Sequence, residues 1–297
     1  MSSVSVTPIT LKANIEDAPG VAAIKDGRVS SDLVSLNICG PKAANSGFKP
    51  MLRENAFDCG ELAIVTYLQA KIYNKPFVML PFALSGKAQH PGIVYNKELG
   101  VLNPKDIEGK KSGVRTYSQT TGLWLRGILA HDYGVDLDKV TWLTTDVSHL
   151  AEYQDPPNCQ QLPKETNLSE MMMKGEIVSA ILGKDAPKDP RVATLIPNAK
   201  EVGKEWVRRE GLIPINHVFV VRQELSKERP DVVREIYRML VESRSLAPES
   251  VTAELPPYGF SAIRKTIELA NEWSYEQKII PRRLSIDELF DETTAAL

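Results

Sequence analysis

Two junctions in this sequence hold the residue types that anion binding and proton transfer need. In Gly113–Gly127 (GVRTYSQTTGLWLRG) a strand reads to about Tyr117, and Ser118, Gln119, Thr120 and Thr121 then open a helix. Free backbone N–H groups, the helix dipole and small hydroxyls make such a junction an anion site for a carboxylate or phosphate. Arg115 and Tyr117 lie two residues apart at the C-terminal end of that strand, where α/β proteins bind ligands, and Arg115 has the fork to pair bidentately with a carboxylate. The same residues also fit a Ser/Thr helix cap beside a surface arginine. Arg126 falls outside the apolar arc of Leu125, Ile128 and Leu129 and reads as a solvated side chain.

Phe57–Tyr67 (FDCGELAIVTY) is the corresponding junction near the N-terminus. Asp58 and Glu61 read there as acidic groups at a helix start, favoured by the dipole. They are N-terminal caps or site residues, and Glu61 in particular could hold a substrate hydroxyl or orient a histidine. His217 stands in INHVF where an aliphatic is expected, so it is either a satisfied core histidine or a site residue facing a cleft. His90 sits in loop context beside a proline (KAQHPG), His131 reads as a cation at a helix C-terminus, and His149 lies in a loop before Glu152. A metal site from His90, His217 and a carboxylate is conceivable, but neither HxxxH nor HxH spacing occurs. GxSxG, GxxxxGK[ST] and GxGxxG are also absent, which disfavours serine hydrolase, P-loop and dinucleotide chemistry.

The elements that must position these residues alternate between strand and helix. Ile9, Leu11, Ala13 and Ile15 recur at period two, as in a strand. ELAIVTYLQAKIY (61–73) has helical spacing and is followed by the apolar run FVMLPF. The same grammar restarts at 110–117 (strand), continues through SQTTGLWLRGILAHDYG (helix), VTWLTT (strand), NLSEMMMKGE (helix) and IVSAIL (strand), and ends with the strand INHVFVVR. Ser226 to Glu242 reads as one long helix with Pro230 near its first turn, and the chain beyond about Ser261 as mostly helical. Met171–Met173 reads as core filling on its helix. Buried, non-alternating strands separated by helices predict parallel sheet in an α/β fold.

Segments 83–96 and roughly 186–216, rich in Pro, Gly and His, separate two such units. Two crossings predict a second lobe inserted into the first. Residues 1–84 plus 217–297 form lobe 1, 92–212 form lobe 2, and 85–91 and 213–216 are the crossings, with a ligand cleft between the lobes. The 297 residues suffice for two domains at roughly 100–200 residues each. A hydrophobic share of 42% with 25% charged residues excludes a disordered chain. The formal net charge of −2 argues against nucleic acid as a partner. Cys39, Cys59 and Cys159 form no CxxC pair and read as free thiols in a reducing compartment. No basic start with an apolar run, and no apolar stretch of about 18 residues, leads to the expectation of a cytoplasmic protein without a membrane partner.

The runs FDCGELAIVTYLQAK, GVRTYSQTTGLWLRGILAHDYGVDLDKVTW, HLAEYQDPPN and PINHVFVVR resemble the 4,5-dihydroxyphthalate decarboxylase family. That family is itself similar to type II periplasmic solute-binding proteins. The resemblance covers the chain from about Pro50 to Leu246, and the first fifty residues share little with it. It implies a two-lobed, type II periplasmic-binding-protein-like fold and non-oxidative decarboxylation of a small hydroxylated aromatic acid, as in phthalate catabolism. No organic cofactor is implied; a divalent metal and a homo-oligomer stay open.

Under that resemblance His217 is the proton donor and Glu61 the acceptor at the phenol. Arg115, Tyr117, Ser118, Gln119, Thr120, Thr121, His90 and Asp58 would line the substrate, with Arg115 and the Thr120/Thr121 helix start on a carboxylate. Two other readings stand beside it: a solute-binding protein that holds an aromatic or other small carboxylate unchanged, and a metal-assisted lyase.

Overall fold

The computed structural model describes residues 8–253 and 255–297. In chain order the strands begin with β1 (Ile9–Asn14), β2 (Val34–Ile38), β3 (Cys59–Ala63) and β4 (Phe77–Gly86). Then come β5 (Ile93–Asn96), β6 (Lys111–Val114), β7 (Thr141–Thr144), β8 (Cys159–Gln161), β9 (Ser179–Ile181), β10 (Val192–Thr194) and β11 (Ile215–Arg222). The chain divides into two compact units, each with one of two sheets.

The first unit runs through Lys87 and resumes with Ile215–Glu268 and Leu284–Leu297. Its sheet has the order β2-β1-β3-β11-β4. β1 is parallel to β2 and β3, but β11 is antiparallel to both β3 and β4. The sheet is therefore mixed rather than parallel. In chain order β11 follows Pro214 of the second unit and not a single helical crossover from β4, so parallel pairing is not imposed on it. Leu11 and Ala13 of β1, Leu80 and Phe82 of β4, and Phe219 and Val221 of β11 pack with Val232, Val233, Ile236, Met239 and Leu240 of the helix Pro230–Ser245.

Two boundaries differ from the periodicity, both for backbone reasons. The helix expected over 61–73 spans Ile64–Ile72, because residues 59–63 pair as β3 with β1 and β11. The long helix expected over 226–242 is two, Gln223–Glu228 and Pro230–Ser245. Pro230 cannot donate a backbone hydrogen bond and pushes Arg229 out of the helical region, here to φ −134° and ψ 61°.

The second unit comprises Ala88–Pro214 and Leu269–Arg283, around a sheet of order β10-β5-β9-β6-β7-β8. β6 is parallel to β7 and β9, whereas β5 is antiparallel to β9 and β10. Met172 is buried against Val94, Leu143 and Ala180, with Met171 and Met173 partly buried beside it. Residues 269–283 belong here, although the sequence assigns the whole of 217–297 to the first lobe. Trp273 explains the placement. A Cβ at Gly127 would come within 2.0 Å of its ring, so only glycine lets the indole lie against the helix Thr120–Tyr133.

Arg126 is not solvated; it is fully buried. Its Nε donates to Gln277 Oε1 (2.9 Å), its Nη2 donates to the Tyr117 carbonyl (2.6 Å), and its guanidinium lies 3.8 Å over the Tyr117 ring. A wheel built from the helix's own residues could not show partners supplied by Tyr117, Trp142 and Gln277. Arg126→Ala leaves two buried acceptors unpaired, at about 1–3 kcal/mol each. Thermal melting should therefore fall by several degrees, and an unchanged melting temperature would contradict the packing described here.

Candidate functional site

β3 and β11 bring Glu61 and His217 together within the first unit. Phe219 pairs with Glu61 and His217 with Ala63, so Glu61 and His217 are diagonal neighbours on one face, where side chains of this length meet. The register of β11 against β4 shifts on either side of His217, which frees this end of the strand from strict alternation. Gly60 precedes Glu61 at φ 138°, and a Cβ there would meet the Asn14 carbonyl at 2.3 Å. The close approach of β1 to β3 at this point depends on that glycine.

His217 Nδ1 stands 2.9 Å from Glu61 Oε2. The other carboxylate oxygen, Oε1, accepts the backbone N–H of Glu16 at 2.7 Å. Glu61 is almost fully buried, with 4% of its side chain exposed, whereas His217 and Glu16 are half-buried. The Phe48 ring packs edge-on against the imidazole at 5.4 Å. Beside them the turn Ala44–Gly47 is tied down twice. Ala44 N–H donates to Glu16 Oε2 (3.3 Å), and the Ala44 carbonyl accepts from Asn14 Nδ2 (3.0 Å). A carboxylate on Nδ1 fixes the ring's orientation and leaves Nε2 as the atom that can exchange a proton with a ligand.

One donor atom each from Glu16, Glu61 and His217 falls within 4.8 Å of the others, so this trio could also hold a divalent cation. Glu16 was invisible to the sequence reading. An acidic residue just past a strand has no local signature, and its neighbours come from 28 and 45 residues away.

The other expected site residues divide between the units. Asp58 is in the first, but its carboxylate accepts the Lys12 N–H (2.8 Å) and pairs with Arg222 (3.2 Å), a clamp between β1 and β11. Neither it nor Glu61 lies at a helix start, because both precede the helix Ile64–Ile72. Arg115, Tyr117, Ser118, Gln119, Thr120, Thr121 and His90 belong to the second unit.

There Arg115 follows β6, with 42% of its side chain exposed and Asp146 at 3.5 Å. Tyr117 is buried beneath Arg126, and that burial raises its phenol above the ordinary range. The helix Thr120–Tyr133 starts without a side-chain cap: Ser118 bonds Ser148 instead (3.3 Å), and the buried Thr120 Oγ1 has no partner. No side chain caps its first N–H groups, the arrangement in which a helix start can take an anion. Tyr153 and Asp155, in the HLAEYQDPPN segment, sit near Arg126, and burial lifts the Asp155 carboxyl above the usual range against that arginine's pull.

His90 does not face a ligand surface. It is fully buried, edge-on to Trp206 at 5.8 Å and pressed by Gly203, and both ring nitrogens lack hydrogen-bond partners. Burial lowers its pKa to about 4. The unfolded chain therefore binds a proton between about pH 6.5 and 4 that the folded chain refuses, so stability falls as pH drops through that window. His90→Gln should flatten the melting-temperature profile between pH 6.5 and 4 relative to wild type. An identical acid slope in both proteins would contradict the burial of a neutral imidazole.

The chain is similar in sequence to one kind of protein and in fold to another. The chain is 24% identical over 245 residues to a protein named 4,5-dihydroxyphthalate decarboxylase from Comamonas testosteroni, spanning 74% of this chain and 72% of that one. It is 25% identical over 169 residues to a protein of the same name from Pseudomonas putida, spanning 52% of this chain and 65%, just under two thirds, of that one. No family model matches the chain.

Among solved structures it resembles the alkanesulfonate-binding protein SsuA from Xanthomonas axonopodis bound to MOPS, with a TM-score of 0.61 and 13% identity over 96% of this chain and 99% of that one. The periplasmic aliphatic sulphonate binding protein SsuA from Escherichia coli follows at 0.59 and 11%, covering 95% and 92% of the two chains. A DSZB mutant in complex with biphenyl-2-sulfinic acid matches at 0.54 and 11%, over 98% of this chain and 99% of that one. The fold is the two-lobed, type II periplasmic-binding-protein fold, and the sequence is similar to 4,5-dihydroxyphthalate decarboxylases.

Proposed function

We propose that this protein is a carboxy-lyase that removes CO2 without oxidation from a hydroxylated aromatic acid of the phthalate type, such as 4,5-dihydroxyphthalate. The observation that carries this reading is the His217–Glu61 pair: an imidazole held through Nδ1 by a buried carboxylate, with no hydrogen-bond partner on Nε2 among the described residues. Direct loss of CO2 from an aromatic ring would leave an aryl carbanion. A hydroxyl para to the carboxylate avoids that by feeding its electrons into the ring while an acid protonates the carbon that bears the carboxylate. The C–C bond then breaks as aromaticity returns. His217 is the acid in this scheme, and Glu61 holds the ring nitrogen that keeps it aimed. In the second unit, Arg115 and the uncapped start of Thr120–Tyr133 supply the charge and N–H groups that suit a carboxylate.

His217→Asn should keep the fold and substrate binding while lowering kcat by about 10²–10⁴-fold. Thermal melting and CO2 release measured on one preparation check this. Normal kcat with a lowered melting temperature would make His217 a structural histidine. Dialysis against EDTA should leave turnover unchanged, because the scheme uses the imidazole as an acid and not as a metal ligand. Activity lost to the chelator and restored by a divalent metal would reassign Glu16, Glu61 and His217 to coordination.

A second reading, a solute-binding protein, is favoured by the sulfonate-binding structures that share this fold. Incubation with a panel of hydroxylated benzoates and phthalates separates the two. Catalysis releases CO2 from at least one member, whereas tight binding without CO2 from any member supports the receptor.

A further inference from the structure

We infer that Glu16, and not Glu61, takes the proton of the substrate's phenolic hydroxyl; this rests on the decarboxylase reading. Both oxygens of Glu61 are occupied, one by the Glu16 N–H and one by His217 Nδ1, and burial leaves the carboxylate almost no surface for a ring to touch. Glu61 is a positioning residue. Glu16 is half-buried, and among the described residues its carboxylate receives only the long Ala44 N–H contact on Oε2, which leaves Oε1 to accept a proton. Its backbone is fixed by the same Glu61 that fixes the imidazole, so acid and base share one anchor.

The neighbouring carboxylates of the unit are spoken for. Asp17 pairs with Lys25 at 2.5 Å and is mostly exposed, and Asp58 is clamped between Lys12 and Arg222. The carboxylate that lies with His217 and Glu61 inside a 4.8 Å compass is that of Glu16.

The step balances without a redox partner. The phenolic proton moves to Glu16, and the O–H electron pair enters the ring. A C–H bond forms between the carboxylate-bearing carbon and the proton leaving His217 Nε2. The C–C bond then breaks, its pair restores the aromatic ring, and CO2 departs. Glu16 returns its proton to the phenolate oxygen, and solvent reprotonates His217, so one proton is consumed per CO2 released.

A base at the phenol matters only while the phenol must be deprotonated by the enzyme. The test compares wild type, Glu16→Gln and Glu61→Gln on 4,5-dihydroxyphthalate and on an analogue with fluorine beside the hydroxyl, whose phenol is more acidic. Glu16→Gln should lose about 10²–10⁴-fold in kcat on the parent acid and recover most of it on the fluorinated one. Glu61→Gln should be impaired to the same degree on both, because it misaims the imidazole whatever the phenol's acidity. Equal losses for Glu16→Gln on the two substrates, or parent activity within a few-fold of wild type, would overturn the assignment. Should Glu16→Gln fail to fold, Glu16→Asp carries the same comparison, since it keeps the charge and withdraws the carboxylate by one methylene. Wild type that releases no CO2 from these compounds or from any member of the panel above overturns the decarboxylase reading itself, and the assignment with it.

Discussion

The site is organised by a single buried carboxylate, that of Glu61. An ionisable group out of contact with water is costly unless its oxygens are paired, and Glu61 pairs one with the Glu16 backbone and one with the His217 ring. That requirement ties three chain segments together: β3, the residues just beyond β1, and β11. The approach of β1 to β3 in turn needs glycine at position 60, where any side chain would strike the Asn14 backbone. The proposed acid and base both hang from this group, so a change there should disturb catalysis more than it disturbs the sheet.

The surrounding fold says little about what the site does. Proteins that share it include sulfonate-binding proteins and a protein crystallised with an aromatic sulfinic acid, all below 15% identity to this chain. Fold likeness at that level speaks to architecture, and the chemistry has to be argued from the side chains. The proposal of turnover rests on what a receptor has no need of: an imidazole aimed by a buried carboxylate, with the half-buried carboxylate of Glu16 beside it.

Much of the architecture was legible because it is written in short-range patterns. Alternation marked β1, apolar runs marked β4 and β11, and the helix Thr120–Tyr133 ended where Gly134 reads as a stop, at φ 64°. The errors fall where a distant partner overrides the local pattern. Residues 61–63 fit a helix by spacing, yet β11 pairs with them and recruits them into β3. Arg126 looked solvated on its own helix and is buried by groups from beyond it. His90 looked like a loop residue and is enclosed by a helix more than a hundred residues later in the chain. His217 stood out as a polar residue in an apolar strand, and Glu61 as an acid at an expected helix start. Their contact, and the part of Glu16, follow only from the pairing of β3 with β1 and β11.

The most direct measurement is ¹⁵N NMR of the His217 side chain, assigned with His217→Asn. A carboxylate accepts but cannot donate, so the Glu61 contact requires the hydrogen to sit on Nδ1. The neutral ring should therefore show a protonated Nδ1 and a bare Nε2, and Glu61→Gln should remove that preference. A neutral ring protonated on Nε2 in the wild type, or a spectrum indifferent to Glu61→Gln, would contradict the pairing on which the proposed chemistry depends.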